Sequence, residues 1–211
     1  MKQDLRTAFL LAAITISTAH AAQPGLLASP TVPGMGMSMF AEYSTHDAKL
    51  DSDLTLKLKG GALGVSNNPA LSGGFGRVDY LTNNQFDVDY YELQGGGQFN
   101  LLNAGGFYVL ATAGLGFAGL ESSRLANSVS FVSLPIGLEA GFSPIPSLSL
   151  YAGVGYKWLL EITDKTTCKD GTTTNSTGQG ACSYHSGIDY YNETIGDMDG
   201  VAFRAGLRMN F

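Results

Sequence analysis

GVAFRAGLRMNF, Gly200 to Phe211, is the stretch whose reading decides the fold. Val201, Phe203, Ala205, Leu207, Met209 and Phe211 form one apolar row. Ala202, Arg204, Gly206, Arg208 and Asn210 stand between them, small or polar. A period of two predicts a strand with one greasy face and one wet face. The apolar row ends on an aromatic residue at the last position of the chain.

The same period recurs upstream. It predicts strands over about 34–45, 53–65, 72–82, 86–100, 106–120, 128–142 and 147–161, with the closing stretch as the eighth. The clearest is 147–161. Leu148, Leu150, Ala152, Val154, Tyr156, Trp158 and Leu160 alternate there with Ser149, Tyr151, Gly153, Gly155, Lys157 and Glu161. In the first strand Met35, Met37, Met39, Ala41 and Tyr43 oppose Gly36, Ser38, Phe40 and Glu42. In the second, Leu54, Leu56 and Leu58 oppose Thr55, Lys57 and Lys59. Connections after strands two, four and six are compact turns, marked by Asn67-Asn68-Pro69, Asn103-Ala104-Gly105 and the pair Pro144 and Pro146. Those after strands one, three, five and seven are more polar, and the last, about 162–197, is far longer.

Composition agrees with a β-rich single domain. The chain has 211 residues, of which 14% are charged and 28 are glycine. Glycine at about 13% is nearly twice the usual ~7% and disfavours helices. Lys2 and Arg6, the apolar run Thr7 to Ser17 and the small-x-small Ala19-His20-Ala21 predict a signal peptide at 1–21. A short lead occupies 22–33, and the barrel 34–211. Loss of Lys2, Arg6 and Asp4 takes 12 basic and 18 acidic residues to 10 and 17, a net charge of −7. That balance excludes nucleic acid as a partner, which needs basic patches.

Amphipathic strands in this number argue for an all-β, eight-stranded antiparallel up-and-down transmembrane β-barrel. In hydrocarbon every backbone polar group must pair within the protein, so a sheet must close. About 9–11 tilted residues span a bilayer, and these strands exceed that. A soluble sandwich or lipocalin-like barrel would turn the apolar rows inward. The polar rows here are instead rich in glycine and serine, and aromatics such as Tyr43, Tyr80, Tyr156, Trp158 and Phe211 lie near strand ends, as interfacial girdles require. The short turns then face the periplasm, with both ends of the mature chain. The segment Gly105 to Leu120 is too short and glycine-rich for a membrane helix.

The polar rows put charge inside. Lys57, Lys59, Arg77, Lys157, Arg204 and Arg208 are expected there with Glu42, Asp79, Glu92, Glu139 and Glu161. Eight strands leave just enough interior for side chains, so an ion-paired filling is expected in place of an open pore. Arg204 and Arg208 should find partners among Glu42, Glu139 and Glu161, with Glu42 on the neighbouring first strand foremost. A minor porin or small-solute channel is the alternative.

Eight alternating strands, a cleaved signal and a terminal aromatic resemble the small outer-membrane barrel superfamily, which includes the OmpX/Ail type and the membrane domain of OmpA. The resemblance implies a non-enzymatic bacterial outer-membrane protein whose extracellular loops serve adhesion, colonisation or envelope integrity. It also implies that Phe211 is read by the barrel-assembly machinery. Outer-membrane lipid, that machinery and a host or cell-surface ligand are the expected partners of a monomer. No cofactor is expected.

Cys168 and Cys182 are the only cysteines. In an exported chain they predict one disulfide, because a metal site needs more ligands than nearby His185 adds. His185-Ser186 with Asp189 and Glu193 has the residue types of a lipid-modifying hydrolase, yet adjacent loop residues seldom meet triad geometry. Gly114-Leu-Gly116-Phe-Ala-Gly119 fits G-x-G-x-x-G but lies inside a strand, so glycine packing explains it better than a nucleotide. Tyr184, Tyr190 and Tyr191 stand among polar loop residues. They suit either protein recognition or a cover over the barrel mouth.

Overall fold

A computed structural model describes residues 36–50, 54–123, 125, 128–163, 165–176, 180–192 and 195–211. The expected signal peptide, its lead and Glu193 lie outside the described residues. The strands are β1 (Met37–Leu50), β2 (Thr55–Asn67), β3 (Gly73–Asn83), β4 (Val88–Ala104), β5 (Phe107–Ser122), β6 (Val129–Ile145), β7 (Leu148–Glu161), β8 (Thr166–Cys168), β9 (Thr173–Thr174), β10 (Ile188–Tyr191) and β11 (Met198–Asn210). Eight of them close into one barrel in the order β1-β11-β7-β6-β5-β4-β3-β2. Every neighbouring pair in it is antiparallel. β8, β9 and β10 form a separate three-stranded sheet within the long excursion between β7 and β11.

Closure is made by β1 and β11. Their register runs from Ser38 opposite Asn210 to Leu50 opposite Met198. At its end the Phe211 amide donates to the Met37 carbonyl at 2.8 Å. The connection from β4 to β5 is the glycine pair Gly105 and Gly106, both at positive φ (60° and 85°). Two residues in that region match the twist of the strands they join.

Several strands run further than their alternation suggests. β1 continues to Leu50, β4 to Ala104 and β6 to Ile145. The added residues at the loop end of β1 reverse the chemistry of the wall. In the lower part of the barrel the outward row is apolar and exposed, as at Met39, Leu63 and Leu138. The inward row there is polar and buried, as at Glu42, Gln94 and Glu139. Towards the loops the outward positions become Asp47, Lys49, Lys57, Lys59, Asp89 and Glu121, while the inward ones become Leu58, Leu81, Tyr90, Leu120, Phe131 and Leu159. One set of strands is therefore inside-out below and core-in above.

This inversion corrects the reading of Lys57 and Lys59. Both point outward, and Leu56 and Leu58 are the buried pair on β2. The physical reason is that β2 has already left the hydrocarbon where its lysines occur, and in water the apolar row turns inward.

Aromatics mark two levels on the outer wall. Near the loop end Tyr80 and Tyr91 stack at 5.0 Å between centroids, and Tyr156 and Trp158 at 4.8 Å. Near the turn end Phe107 and Phe142 stack at 4.5 Å. Paired girdles bounding an apolar band are what two membrane interfaces require.

Candidate functional site

The barrel interior is layered. At the turn end, Ser38 donates to the Asn210 side-chain carbonyl at 2.8 Å, and the Asn210 amide donates to Pro146 O and Ser149 Oγ at 2.9 and 3.0 Å. The Gln98 amide caps the Asn67 and Leu71 carbonyls at 3.0 and 3.1 Å. Above this floor sit Phe40, Tyr108, Leu110 and Tyr151. The Arg208 guanidinium lies 4.7 Å over the Tyr151 ring, so the aromatic layer faces a cation.

The next layer holds the ions. Arg77 reaches Glu42 at 2.7 Å and donates through Nε to Asp79 at 2.9 Å. Lys157 pairs with Glu92, which also accepts from Tyr90 Oη and Gln94 Nε2, each at 2.7 Å. Glu139 takes both arginines of β11, Arg208 at 2.8 Å and Arg204 at 3.4 Å. Tyr151 Oη donates to Glu42 at 2.7 Å, and Tyr108 Oη to Glu139 at 3.3 Å. Among the described residues four cations face four carboxylates, so their formal charges balance. Charges this deep are tolerated only when paired and hydrogen-bonded.

Two expectations about this layer are corrected. Glu42 does not serve Arg204 or Arg208, although β1 and β11 are neighbours. Its register partner on β11 is Gly206, and its carboxylate crosses to Arg77 on β3. In so narrow a lumen the reach of a side chain decides the partner, not strand adjacency. Glu161 lies at the rim, outside the ion layer. Its Oε2 accepts from Ile195 N at 3.0 Å and Gly196 N at 2.6 Å, which ties the returning chain to β7.

The ion layer encloses little space. A cavity of about 40 Å³ is bordered by Ser44, Arg77, Gln94, Thr112, Lys157 and Arg204. At roughly 10–15 Å³ per ordered water, that is room for a few waters. Beyond it, toward the loops, the apolar cluster around Leu58 and Phe131 fills the lumen.

The second candidate is the module at the barrel's loop end. Thr-rich segments, favourable in strands, build β8 and β9. Cys168 and Cys182 are joined as a disulfide, with both sulfur-bearing residues buried. A turn follows Cys168, closed by its amide on Thr172 O at 2.8 Å, with Gly171 at φ 84°. Asp170 within it accepts from the Thr172 hydroxyl at 2.7 Å and the Thr172 amide at 3.0 Å, and contacts His185 Nδ1 at 2.7 Å. These hydrogen bonds, the Thr172 hydroxyl first, push the Asp170 carboxyl down to about 2. Tyr184 is 96% exposed, and Tyr190 and Tyr191 on β10 are half exposed.

His185 thus has a carboxylate partner, but it is Asp170 and not Asp189. Among the described residues no hydrogen bond joins Ser186 to His185, and no cluster of three or more acidic, histidine or cysteine ligands forms. Gly114 and Gly116 lie within β5, and among the described residues no helix N-terminus stands beside them for a phosphate. The sequence reading missed the small sheet and the contact between Asp170 and His185. The repeated threonines at 166–167 and 172–174 were the available strand signal.

No family model matches this chain, and no curated protein matches its sequence. Its structure is similar to that of Neisserial surface protein A, with a TM-score of 0.57 at 12% identity, covering 83% of this chain and 97% of that one. Ail, the attachment invasion locus protein of Yersinia pestis, aligns at a TM-score of 0.45 and 19% identity, over 84% and 99% of the two chains. The N-terminal barrel domain of Pseudomonas aeruginosa OprF aligns at 0.45 and 12%, over 82% and 97%. At such identities the likeness is one of fold, and it rests on the Neisserial protein. With that fold, and with an exposed apolar wall between two aromatic girdles, the chain is a small eight-stranded β-barrel built to span a membrane.

Proposed function

We propose that the protein is a side-chain-filled, non-enzymatic barrel that carries its loop module at 162–197 as a surface for binding a protein partner outside the cell. The observation that carries this reading is the exposure of Tyr190 and Tyr191 on the small sheet and of Tyr184 in the turn that the disulfide ties to it. Tyrosine supplies large contact area with little side-chain entropy to lose, and a rigid base lowers the cost of ordering. Adhesion or colonisation is the role this implies, with the protein acting as a monomer assembled through its terminal Phe211.

The test uses the folded protein in lipid nanodiscs, applied to a panel of immobilised extracellular-matrix and serum proteins. Saturable binding to a panel member, lost when Tyr184, Tyr190 and Tyr191 are all replaced by serine, is the expected result. Binding that survives the triple replacement, or no binding at all, overturns the reading.

The charge-balanced ion layer and the apolar cluster above it support a sealed lumen over a channel. Planar-bilayer recording should show a silent membrane, and steady conductance steps would favour the porin reading. Lipid modification is the weaker alternative. Unchanged membrane lipids after His185→Ala would remove it.

A further inference from the structure

The outer wall carries a groove beside the seam of the barrel. Gly61 on β2 is in register with Tyr43 on β1 and Tyr80 on β3, so a position with no side chain lies between two outward phenol rings. Ala41 and Ala205 continue the depression, and Leu63, Val78 and Leu207 wall it. Its open volume is about 630 Å³. That is within the roughly 300–1,000 Å³ of small-molecule sites. The lining side chains are almost entirely apolar, and they lie in the part of the wall that faces hydrocarbon.

What stands above the groove is not apolar. The next outward row toward the loops places Lys59 between Thr45 and Thr82. Lys57 follows, opposite Asp47. Among the described residues neither lysine forms an ion pair within 4.0 Å. Asp89, beside Thr82, is occupied by the Tyr80 hydroxyl at 2.9 Å. On β4 and β5 the outward positions are the acidic Asp89 and Glu121, and on β1 and β11 Asp47 lies opposite Lys57 and Asp199 opposite Lys49, so β2, with Lys57 and Lys59, is the basic strand of the described rim. Tyrosines sit at the headgroup boundary of a membrane. Lysines one and two rows above them are at the height of lipid phosphates.

We propose that this groove seats an acyl chain of an anionic, phosphate-bearing membrane lipid whose headgroup is held by Lys59 and Lys57. The chain gains fixed van der Waals partners where a smooth wall would offer fewer. The phosphate gains two ammonium donors, with the Thr45 and Thr82 hydroxyls on either side. Neither half suffices alone, since any cationic rim attracts anions and any barrel wall touches lipid.

Native mass spectrometry of the folded protein, released from a neutral detergent with added phosphatidic acid, tests the proposal. Diacylglycerol of the same chains serves as the phosphate-free control. One phosphatidic acid should remain per barrel, and diacylglycerol should not. Replacing both lysines, K57Q with K59Q, should cut retention about tenfold, the effect of losing charged hydrogen bonds. Gly61→Leu should do the same with both lysines intact. A Cβ at Gly61 meets nothing nearer than Glu42 O at 3.6 Å, so the wall accommodates it. Ala205→Leu fills the groove from β11 and guards against a folding defect in the first variant. Undiminished retention in the double lysine variant or in both groove-filling variants overturns the proposal, as does equal retention of diacylglycerol.

Discussion

Gly153 and Arg204 are register partners on β7 and β11, and the missing side chain of the first is what makes room for the second. A Cβ at Gly153 would lie 2.8 Å from Arg204 Nε and 2.9 Å from the Leu138 carbonyl. On its other side Gly153 is in register with Glu139, which Arg204 meets across it. Gly153→Ala should therefore push the guanidinium off Glu139 and cost about 1–3 kcal/mol, the usual penalty of overpacking. Urea titration of the barrel in detergent, read by gel mobility of unboiled samples, measures it.

The pair of Lys157 and Glu92 should behave as a unit. Removing one member by Lys157→Met leaves a buried carboxylate without its cation and should cost about 3–5 kcal/mol. Glu92→Gln in the same chain should recover part of that loss. A double-mutant cycle on urea unfolding reads the coupling, and additive losses would show that the two groups act independently.

A second cycle separates reach from adjacency. Glu42→Gln should couple to Arg77→Met by about 0.5–3 kcal/mol, as residues in contact do. Its coupling to Arg204→Met should be within error of zero, because Arg204 spends its charge on Glu139.

The reversal of the wall predicts which lysines meet water. In a lipid bilayer, a water-soluble amine reagent should label Lys57 and Lys59 at the rate of exposed lysines. Lys157, buried against Glu92, should label only on unfolding. Peptide mass mapping distinguishes them, and protection of Lys57 and Lys59 in the absence of phosphate lipid would contradict the placement of the rim.

The loop module has its own pH signature. The folded Asp170 carboxyl lies at about 2, below its ordinary 3.8, so the hydrogen bonds it makes stabilise the turn above about pH 4 and are lost as pH falls toward 2. Thr172→Val removes the largest cause. The Asp170 carboxyl carbon, followed by NMR, should then titrate closer to 3.8, and an unchanged midpoint would refute the assignment.

Much of the architecture was legible because hydrocarbon imposes a strict rule. Where a strand crosses the bilayer, as from Ala152 to Tyr156, apolar residues alternate with glycine and the period separates the two faces. Alternation has no sign of its own, however. On β2 the rows of Leu56 and Lys57 are equally periodic, and only the height of the strand in the membrane says which is inside. The ion partners were not legible either. They depend on shear and on side-chain reach across the lumen, which brings Glu42 to Arg77 and both β11 arginines to Glu139. The contact of Asp170 with His185 spans a disulfide-closed loop, where local pattern carries no register.

The reversal along the strands also fixes a waterline. Sinking the barrel by one row would drag Lys59 into oil, and raising it by one would lift Leu63 toward solvent, so its draught is written into the wall itself. Lys49 lies six residues beyond Tyr43 on β1. At about 3.3 Å per residue and a tilt near 40°, that is a pedestal of roughly 15 Å. Whatever meets Tyr184 and its neighbours does so at a set altitude, clear of the lipid surface on which the pedestal stands.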